Sequence, residues 1–244
     1  MFVFYGNRWV MNRKTVSVAM AAYNGEKYIQ KQIETILPQL AENDELIISL
    51  DPSTDHTYKI IESFQDPRIL VIDGKGKGAI KNFENAIEHC KNEIVFLCDQ
   101  DDIWAKDKVE KVLQAFDDGE NIQVVLHDAK VFQEDRIIIE SFFKYRNTKI
   151  GMAHNIKKNG YLGCCMAFSS QLKPYILPFP EKIPMHDMWI GLVGEKKGKN
   201  VLLPETLTYY RRHGENVTSM NHAGVAQMIK WRWDLIGALR KVKV

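Results

Sequence analysis

The sequence predicts an α/β fold in which a mainly parallel sheet is flanked by helices on both faces. Short apolar runs alternate with amphipathic helical stretches through the first half of the chain. Such alternation places successive strands side by side in parallel and covers both faces of the sheet with helices. The chain has 244 residues, 45% of them apolar and 26% charged, which suits one globular domain of ordinary composition.

Five strands are predicted in the first half, and each is largely apolar, as buried parallel strands are. They span 16–21, 45–50, 68–72, 93–98 and 122–127. Helices are predicted between them because apolar residues recur there at helical spacing. These span 25–40, 55–64, 79–90 and 104–116. Ligands of such sheets bind at the carboxyl ends of the strands, so the residues directly after each strand are the candidates for a site.

The second half of the chain is less regular. It predicts a hairpin over 131–141, a proline-rich loop over 175–184, a short helix over 185–193 and strand segments over 201–211. No internal repeat or low-complexity linker separates the halves. We therefore expect one domain over 1–244, made of a first half at about 14–130, a second half at 131–220 and a C-terminal helix at 223–244.

Charge, cysteine pattern and hydropathy exclude several classes of protein. The formal net charge of +2 argues against nucleic acid as a partner, because domains that follow phosphate backbones are usually far more basic. The four cysteines form no CxxC pair, which favours reduced thiols over a zinc site. No apolar run approaches the ~20 residues of a membrane span, and the N-terminus lacks the layout of a signal peptide. A cytoplasmic protein is expected.

An acidic cluster follows the most apolar strand. Asp99, Asp101 and Asp102 place three carboxylates within four residues at an expected ligand-binding edge. Carboxylates this close raise one another's pKa unless a cation neutralises them, and a hard divalent cation prefers oxygen ligands. The cluster thus predicts a Mg²⁺ or Mn²⁺ site. The alternative is that Asp102 or Asp107 caps the next helix while the other carboxylates are solvated.

An ordered set of motifs carries a resemblance to a known family. The set comprises Ala22-Tyr23-Asn24-Gly25, Asp51-Pro52-Ser53-Thr54-Asp55, Asn82-Phe83, Asp99-Gln100-Asp101-Asp102-Ile103-Trp104, Gly163-Cys164, His186-Asp187-x-Trp189 and Tyr210-Arg211-Arg212-His213-Gly214-Glu215-Asn216-Val217. Over about 14–220 it resembles the family 2 glycosyltransferases of GT-A fold, and within them the bacterial rhamnosyltransferase-like enzymes. The resemblance implies an inverting, metal-dependent enzyme of hexosyltransferase type. It would move a sugar from a nucleotide-diphosphate sugar to an acceptor hydroxyl in cell-surface polysaccharide synthesis.

The resemblance also implies a role for individual residues. The first half would bind the nucleotide-sugar through Ala22, Tyr23, Asn24, Asp51, Lys81, Asp99, Gln100 and Asp101. The metal would be held by Asp99, Asp101 and His213. Asp187 would be the general base, although its local sequence suits an ordinary helix N-cap equally well. The donor-sugar and acceptor side would comprise Asp102, Trp104, Gly163, Cys164, His186 and Trp189. The acceptor would be a saccharide or a lipid-linked saccharide.

One turn departs from the family pattern. Family members usually carry Asp-Asp-Gly-Ser where this chain has Leu50-Asp51-Pro52-Ser53, which leaves base recognition open. A catalytically inactive nucleotide-binding homologue is the alternative that this change favours. A dinucleotide-binding oxidoreductase is a weaker alternative, based on Gly74-x-Gly76-x-x-Ala79 after a strand. That motif gives no role to Asp101, Asp187 or His213.

The C-terminal helix is basic and amphipathic. Met228, Trp231, Leu235 and Leu239 form one apolar stripe at helical spacing, and Ile229, Trp233 and Ile236 widen it. A basic helix with tryptophan is suited to a membrane interface. The sequence therefore leaves two hypotheses open: packing of the stripe on the catalytic domain or on a second subunit, and peripheral attachment to the inner face of the cytoplasmic membrane.

Overall fold

The computed structural model describes residues 2–5, 8–11, 13–116, 122–213 and 225–242, with backbone alone for 2–11 and 225–226. The chain begins with an antiparallel pair, β1 (Phe2–Tyr5) and β2 (Arg8–Met11). The first half then runs through β3 (Val16–Ala22), α1 (Ile29–Ile36), β4 (Glu45–Leu50), α2 (Thr57–Ser63), β5 (Ile69–Asp73), α3 (Ala79–His89), β6 (Ile94–Asp99), β7 (Ile103–Trp104) and α4 (Lys108–Gln114).

The second half is built from short helices and long strands. Its elements are β8 (Gln123–Gln133), β9 (Arg136–Ile139), α5 (Phe142–Arg146), α6 (Met152–Lys157), β10 (Met166–Ser169), α7 (Lys173–Ile176), α8 (His186–Lys197), β11 (Lys199–Arg211) and α9 (Val225–Lys241). The hairpin, the helix after the proline-rich loop, the last strand and the C-terminal helix all occur where the sequence predicts them.

The main sheet has the strand order β5-β4-β3-β6-β10-β8-β11-β7, with β9 paired to β8. The four strands from β5 to β6 are parallel, as expected. Beyond β6 the sheet is mixed, because β10 is antiparallel to both of its neighbours and β7 is antiparallel to β11. The α/β class is confirmed, and the parallel pattern is corrected for the second half of the sheet.

Two predicted elements differ from the structure. The helix expected over 104–116 begins only at Lys108, because Ile103 and Trp104 are extended and pair with Tyr209 and Thr208. The strand expected over 122–127 continues to Gln133, since β11 runs beside it in parallel over most of its length.

Helices cover both faces of the sheet, and alternate strand residues point into two apolar layers. Ala19, Ile47 and Leu97 pack in the layer that contains α3, α8 and α9. Val18, Met20 and Ile48, among others, pack in the layer that contains α1 and α4. Packing between these two apolar layers holds the sheet in place, and with it the strand ends at one edge. Among the described helices, none combines the length and the apolar character required to cross a bilayer.

Candidate active site

A cavity of about 730 Å³ opens where β3, β4 and β6 end. The starts of α3 and α8 and the end of β11 complete its wall. Eleven predicted site residues line it, namely Ala22, Tyr23, Asn24, Asp51, Asp99, Gln100, Asp101, Gly163, His186, Asp187 and His213. The two halves of the chain therefore meet at one cavity, at the edge of the sheet where ligands of α/β proteins bind.

Gln100 joins the loops that follow β3 and β6. Its side-chain amide accepts from the Tyr23 backbone N–H at 3.0 Å and donates to the Tyr23 carbonyl at 2.7 Å. A Cβ atom on Gly25 would lie 2.2 Å from Oε1 of Gln100, so only glycine fits beside this amide. The paired bonds hold Tyr23, which is 56% exposed, at the mouth of the cavity.

The turn after β4 is fastened to the same loop. Asn24 adopts a positive φ of 45°, donates through its N–H to Ser53 Oγ at 3.0 Å and accepts from the Thr54 N–H at 2.9 Å. Asp51 is buried, and its Oδ1 accepts from the Gly76 N–H at 2.9 Å. The altered turn thus keeps a well-bonded structure, in which Asp51 supports the glycine-containing turn after β5.

The acidic cluster meets the end of β11 at the cavity wall. His213 Nε2 lies 2.6 Å from Asp101 Oδ2, and the His213 ring stacks on Tyr28 with centroids 4.9 Å apart. Arg211 fastens the strand to the cluster, because its N–H donates to Asp102 Oδ1 at 2.9 Å and its Nε to the Asp101 carbonyl at 2.8 Å. The strand and the cluster are 110 residues apart in sequence and form one unit.

The ionised form of Asp99 is unfavourable in this setting. Burial, together with the nearby carboxylates of Asp101 and Asp187, raises its pKa to about 8. A divalent cation at the cavity would offset this repulsion. Carboxylate oxygens and an imidazole nitrogen are ligands that Mn²⁺ accepts, and the oxygens suit Mg²⁺. The residues present therefore fit such an ion.

A second set of donor atoms lies behind the cavity. Atoms of Asp99, Asp102 and Cys164 are all within 4.8 Å of one another. Burial raises the pKa of the Cys164 thiol and of the Asp102 carboxyl well above their usual values, which disfavours the charged form of both groups. A thiol is also a poor ligand for a hard cation. The ligand atoms of Asp99, Asp101 and His213 do not form such a set among the described residues, so a metal role for these three stays a prediction.

Asp187 occupies the first turn of α8 and faces the acidic cluster across the cavity. Burial raises its pKa to about 6, while hydrogen bonds lower it in part. Its Oδ1 accepts from the Met188 N–H at 2.5 Å and from Asn159 Nδ2 at 3.3 Å. The carboxyl is ionised at neutral pH and only weakly stabilised, which suits a general base.

His186 precedes the candidate base and is also buried. Its ring stacks on Phe83 with centroids 4.0 Å apart. Neither ring nitrogen has a hydrogen-bond partner among the described residues. Burial lowers its pKa to about 3, so the ring is neutral. A Cβ atom on Gly163 would lie 2.7 Å from Nε2, so the glycine leaves the space in front of this nitrogen open.

Five predicted site residues lie outside the cavity wall. Lys81 is paired with Glu84 at 2.5 Å on the outer side of α3. Trp189 is buried and donates to the Ile176 carbonyl. The remaining three surround Lys108 and are Asp102, Trp104 and Cys164. The Lys108 Nζ lies 3.9 Å from the Trp104 ring centroid and donates to the Cys164 carbonyl at 2.8 Å. Asp102 lies in the same buried region. None of these five residues lines the cavity, and each lies behind its wall or away from it.

Several residues of the cavity have no predicted role in the site. Tyr28, Phe83, Met185 and Tyr210 line it, and Asn159 reaches Asp187 from behind. Tyr28 sits at an apolar helix position, where the sequence gives only a core signal, whereas Phe83 and Tyr210 belong to motifs of the resemblance that gave them no individual role. Asn159 has no local signal, because its role depends on how the segment before β10 packs against α8.

Comparisons with known proteins agree with this geometry. The family model described as "Glycosyl transferase family 2" matches residues 17–173. The Escherichia coli protein named UDP-Glc:alpha-D-GlcNAc-diphosphoundecaprenol beta-1,3-glucosyltransferase WfgD is 24% identical over 93% of this chain and 87% of its own length. The Shigella flexneri dTDP-rhamnosyl transferase RfbG is 39% identical over 38% of this chain and 35% of its own length.

A solved structure supports the fold. The Staphylococcus aureus TarS fragment 1–349 in complex with UDP-GlcNAc superposes with a TM-score of 0.74. The match has 18% identity and covers 95% of this chain and 68% of that chain. It shares the GT-A fold expected from the resemblance. From the family model, which spans well over half of the chain, we conclude that this protein belongs to glycosyl transferase family 2 and is a glycosyltransferase.

Proposed function

We propose that the protein transfers a sugar from a nucleoside-diphosphate sugar to an acceptor hydroxyl, with inversion at the anomeric carbon and with Mg²⁺ or Mn²⁺. One observation carries the proposal. The cluster of Asp99, Asp101 and His213 and the carboxyl of Asp187 line the same cavity. A donor diphosphate beside the cluster would place its sugar between the cluster and Asp187.

The cluster and Asp187 would each supply one requirement of the reaction. Asp99, Asp101 and His213 would hold the cation, which would supply positive charge to the departing diphosphate. Asp187 would take the proton of the acceptor hydroxyl as the oxygen attacks the anomeric carbon from the opposite side. Asn159 donates to the carboxylate of Asp187 at 3.3 Å. The neutral ring of His186 would offer a hydrogen bond to a sugar hydroxyl.

The donor is proposed from the names of relatives. WfgD is named for UDP-Glc and RfbG for a dTDP-rhamnosyl group. We therefore propose a uridine or thymidine diphosphate sugar, with glucose and rhamnose as the candidate sugars. Tyr23, Asn24 and Asp51 stand where the base and ribose would lie, on loops already fixed by Gln100 and Ser53.

The acceptor and the setting are proposed on the same grounds. WfgD is named for an acceptor sugar on diphosphoundecaprenol, a lipid carrier. A lipid-linked saccharide is the acceptor class we propose here, in bacterial cell-surface polysaccharide synthesis. An enzyme with such an acceptor would work on the inner face of the cytoplasmic membrane as a peripheral protein.

A thermal-shift screen with donor hydrolysis tests the proposal. UDP, dTDP and GDP, and their glucose and rhamnose conjugates, would be added with Mn²⁺, Mg²⁺ or chelator. A ligand of the folded state raises the melting temperature. We expect one nucleotide to stabilise the protein only with metal, and its sugar conjugate to be slowly hydrolysed. Binding without hydrolysis or transfer would instead identify an inactive homologue.

A further inference from the structure

The C-terminal helix α9 has two apolar faces, and only one is covered by the protein. Leu235, Leu239 and Val242 are buried in the core layer shared with α8. Lys196 Nζ fixes the end of the segment by donating to the Leu239 carbonyl at 2.8 Å and to the Val242 carbonyl at 2.7 Å. This inner face is the part of the predicted stripe that packs on the domain.

The outer face carries Ile229, Trp233 and Ile236. Trp233 is 67% exposed and Ile229 is 49% exposed. At 100° per residue the two lie about 40° apart on the helix surface, with Ile236 close beside them and the buried Leu235 on the opposite side. Trp233 also stands at the rim of a groove that α9 forms with the proline-rich loop, lined by Tyr175, Pro178 and Pro180. Docking of α9 on its own domain therefore leaves Ile229 and Trp233 exposed, beside a groove that Glu181 and Asp234 also line.

Positive charge is concentrated around this surface. Lys230, Arg240 and Lys241 are exposed next to the apolar residues. Helix α9 contains four cations and one acid, a formal charge of +3, whereas the whole chain carries +2. The remaining residues together thus carry −1. The positive charge of the molecule is a local property of α9, where it accompanies a large exposed tryptophan.

We propose that the outer face of α9 docks the protein on an anionic lipid bilayer. Tryptophan and isoleucine would enter the headgroup region while the flanking cations meet lipid phosphates. A second copy of the chain is disfavoured as the occupant, because a two-fold contact through this face would set the three cations against the same three cations. The inference rests on the proposed function only in that a lipid-linked acceptor requires a membrane.

Vesicle co-sedimentation of the full chain tests the proposal. We expect binding to phosphatidylcholine vesicles that contain phosphatidylglycerol, little binding without it, and release at high salt. The variant Lys230→Gln/Arg240→Gln/Lys241→Gln should lose on the order of 100-fold in affinity, given the attraction of each cation to an anionic surface. The variant Lys59→Gln/Lys91→Gln/Lys149→Gln removes the same charge from other exposed positions and should lose far less.

The apolar contribution is tested separately. Ile229→Ser/Trp233→Ser should weaken vesicle binding by about tenfold or more, and Ile138→Ser, at an equally exposed isoleucine on β9, should not. Equal loss in both charge variants, or unchanged binding of the serine variant, would overturn the proposal. So would a dimer in solution that the serine variant abolishes without any vesicle binding by the wild type.

The outcome is separable from that of the proposed function. Asp187→Asn should bind vesicles like the wild type, and the serine variant should keep its melting temperature and its turnover of a water-soluble acceptor. Transfer activity without vesicle binding would leave the enzyme assignment standing and refute the lipid-docking surface alone.

Discussion

The two halves of the cavity wall are held in different ways. The residues from the first half lie on loops bonded directly to one another, as when Gln100 pairs twice with Tyr23 and Ser53 receives the Asn24 N–H. Asp187 and His186 come from the start of a helix that is buried on all sides. The difference indicates that the proposed donor side is a frame of hydrogen-bonded loops, whereas the proposed acceptor side depends on the packing of one helix.

The largest loss of activity is expected when a proposed ligand of the cation is removed. Asp101→Ala should abolish transfer and the metal-dependent stabilisation by nucleoside diphosphate, because it removes one carboxylate ligand and the partner of His213. Melting curves and transfer assays with Mn²⁺ measure both. Asp107→Ala, which removes a half-exposed carboxylate beside the same segment, should leave both unchanged. Full activity of Asp101→Ala would refute the metal role.

Asp187→Asn should affect only the acceptor side. We expect turnover to fall by about 100-fold or more, the range that side-chain proton transfer supplies, while donor affinity stays within about twofold. Steady-state kinetics with calorimetric titration of the nucleotide would measure the two quantities. Glu181→Gln, the same change at an exposed position of the neighbouring loop, is the control. A collapse of donor affinity with turnover preserved would make Asp187 a binding residue.

The pH profile of turnover sharpens the assignment. The folded pKa of Asp187 is raised to about 6 by burial, and the base must be ionised to accept a proton. Turnover at saturating donor should therefore be level above pH 6 and fall about tenfold per unit below it. The acidic limb should be missing from the residual activity of Asp187→Asn. An identical limb in that variant would assign the titration to another group.

A smaller effect is expected on the proposed donor side when Gln100 no longer joins the loops that follow β3 and β6. Gln100→Ala removes both hydrogen bonds to Tyr23, so the KM for the donor should rise on the order of tenfold. The KM for the acceptor should hardly change. Gln114→Ala, at an exposed helix position, serves as the comparison. An equal rise in both Michaelis constants would contradict the independence of the two sides.

The two halves of the chain also differ in how well their strands can be predicted from the sequence. The strands from β3 to β6 agree with their predicted bounds within about one residue at each end, because local apolar runs and the helices between them determine a parallel sheet. The strand order of the second half cannot be predicted from local apolar runs. β10 lies between β6 and β8 although it follows both in sequence, and no local pattern encodes an insertion of that kind.

Site residues divide in a similar way. Asp99, Gln100 and Asp101 were predictable because they directly follow a buried strand at the edge where ligands bind. Trp104 and Trp189 share motifs with cavity residues, but their large apolar rings are buried in the protein interior. A motif shows that its residues are neighbours in sequence. Which of their side chains face the cavity depends on packing partners far away in sequence.

The contact between the end of β11 and the acidic cluster has a consequence for how the protein acquires activity. Asp101 and His213 are separated by 112 residues, and Arg211 and Asp102 by 109. Closing so long a loop carries an entropic cost before its contacts form, so these contacts belong to the late events of folding. A chain emerging from the ribosome can order β3 to β6 well before Asp101 and His213 meet. The proposed cation would therefore bind only molecules in which β11 has docked, and it would stabilise complete folding over partial folding.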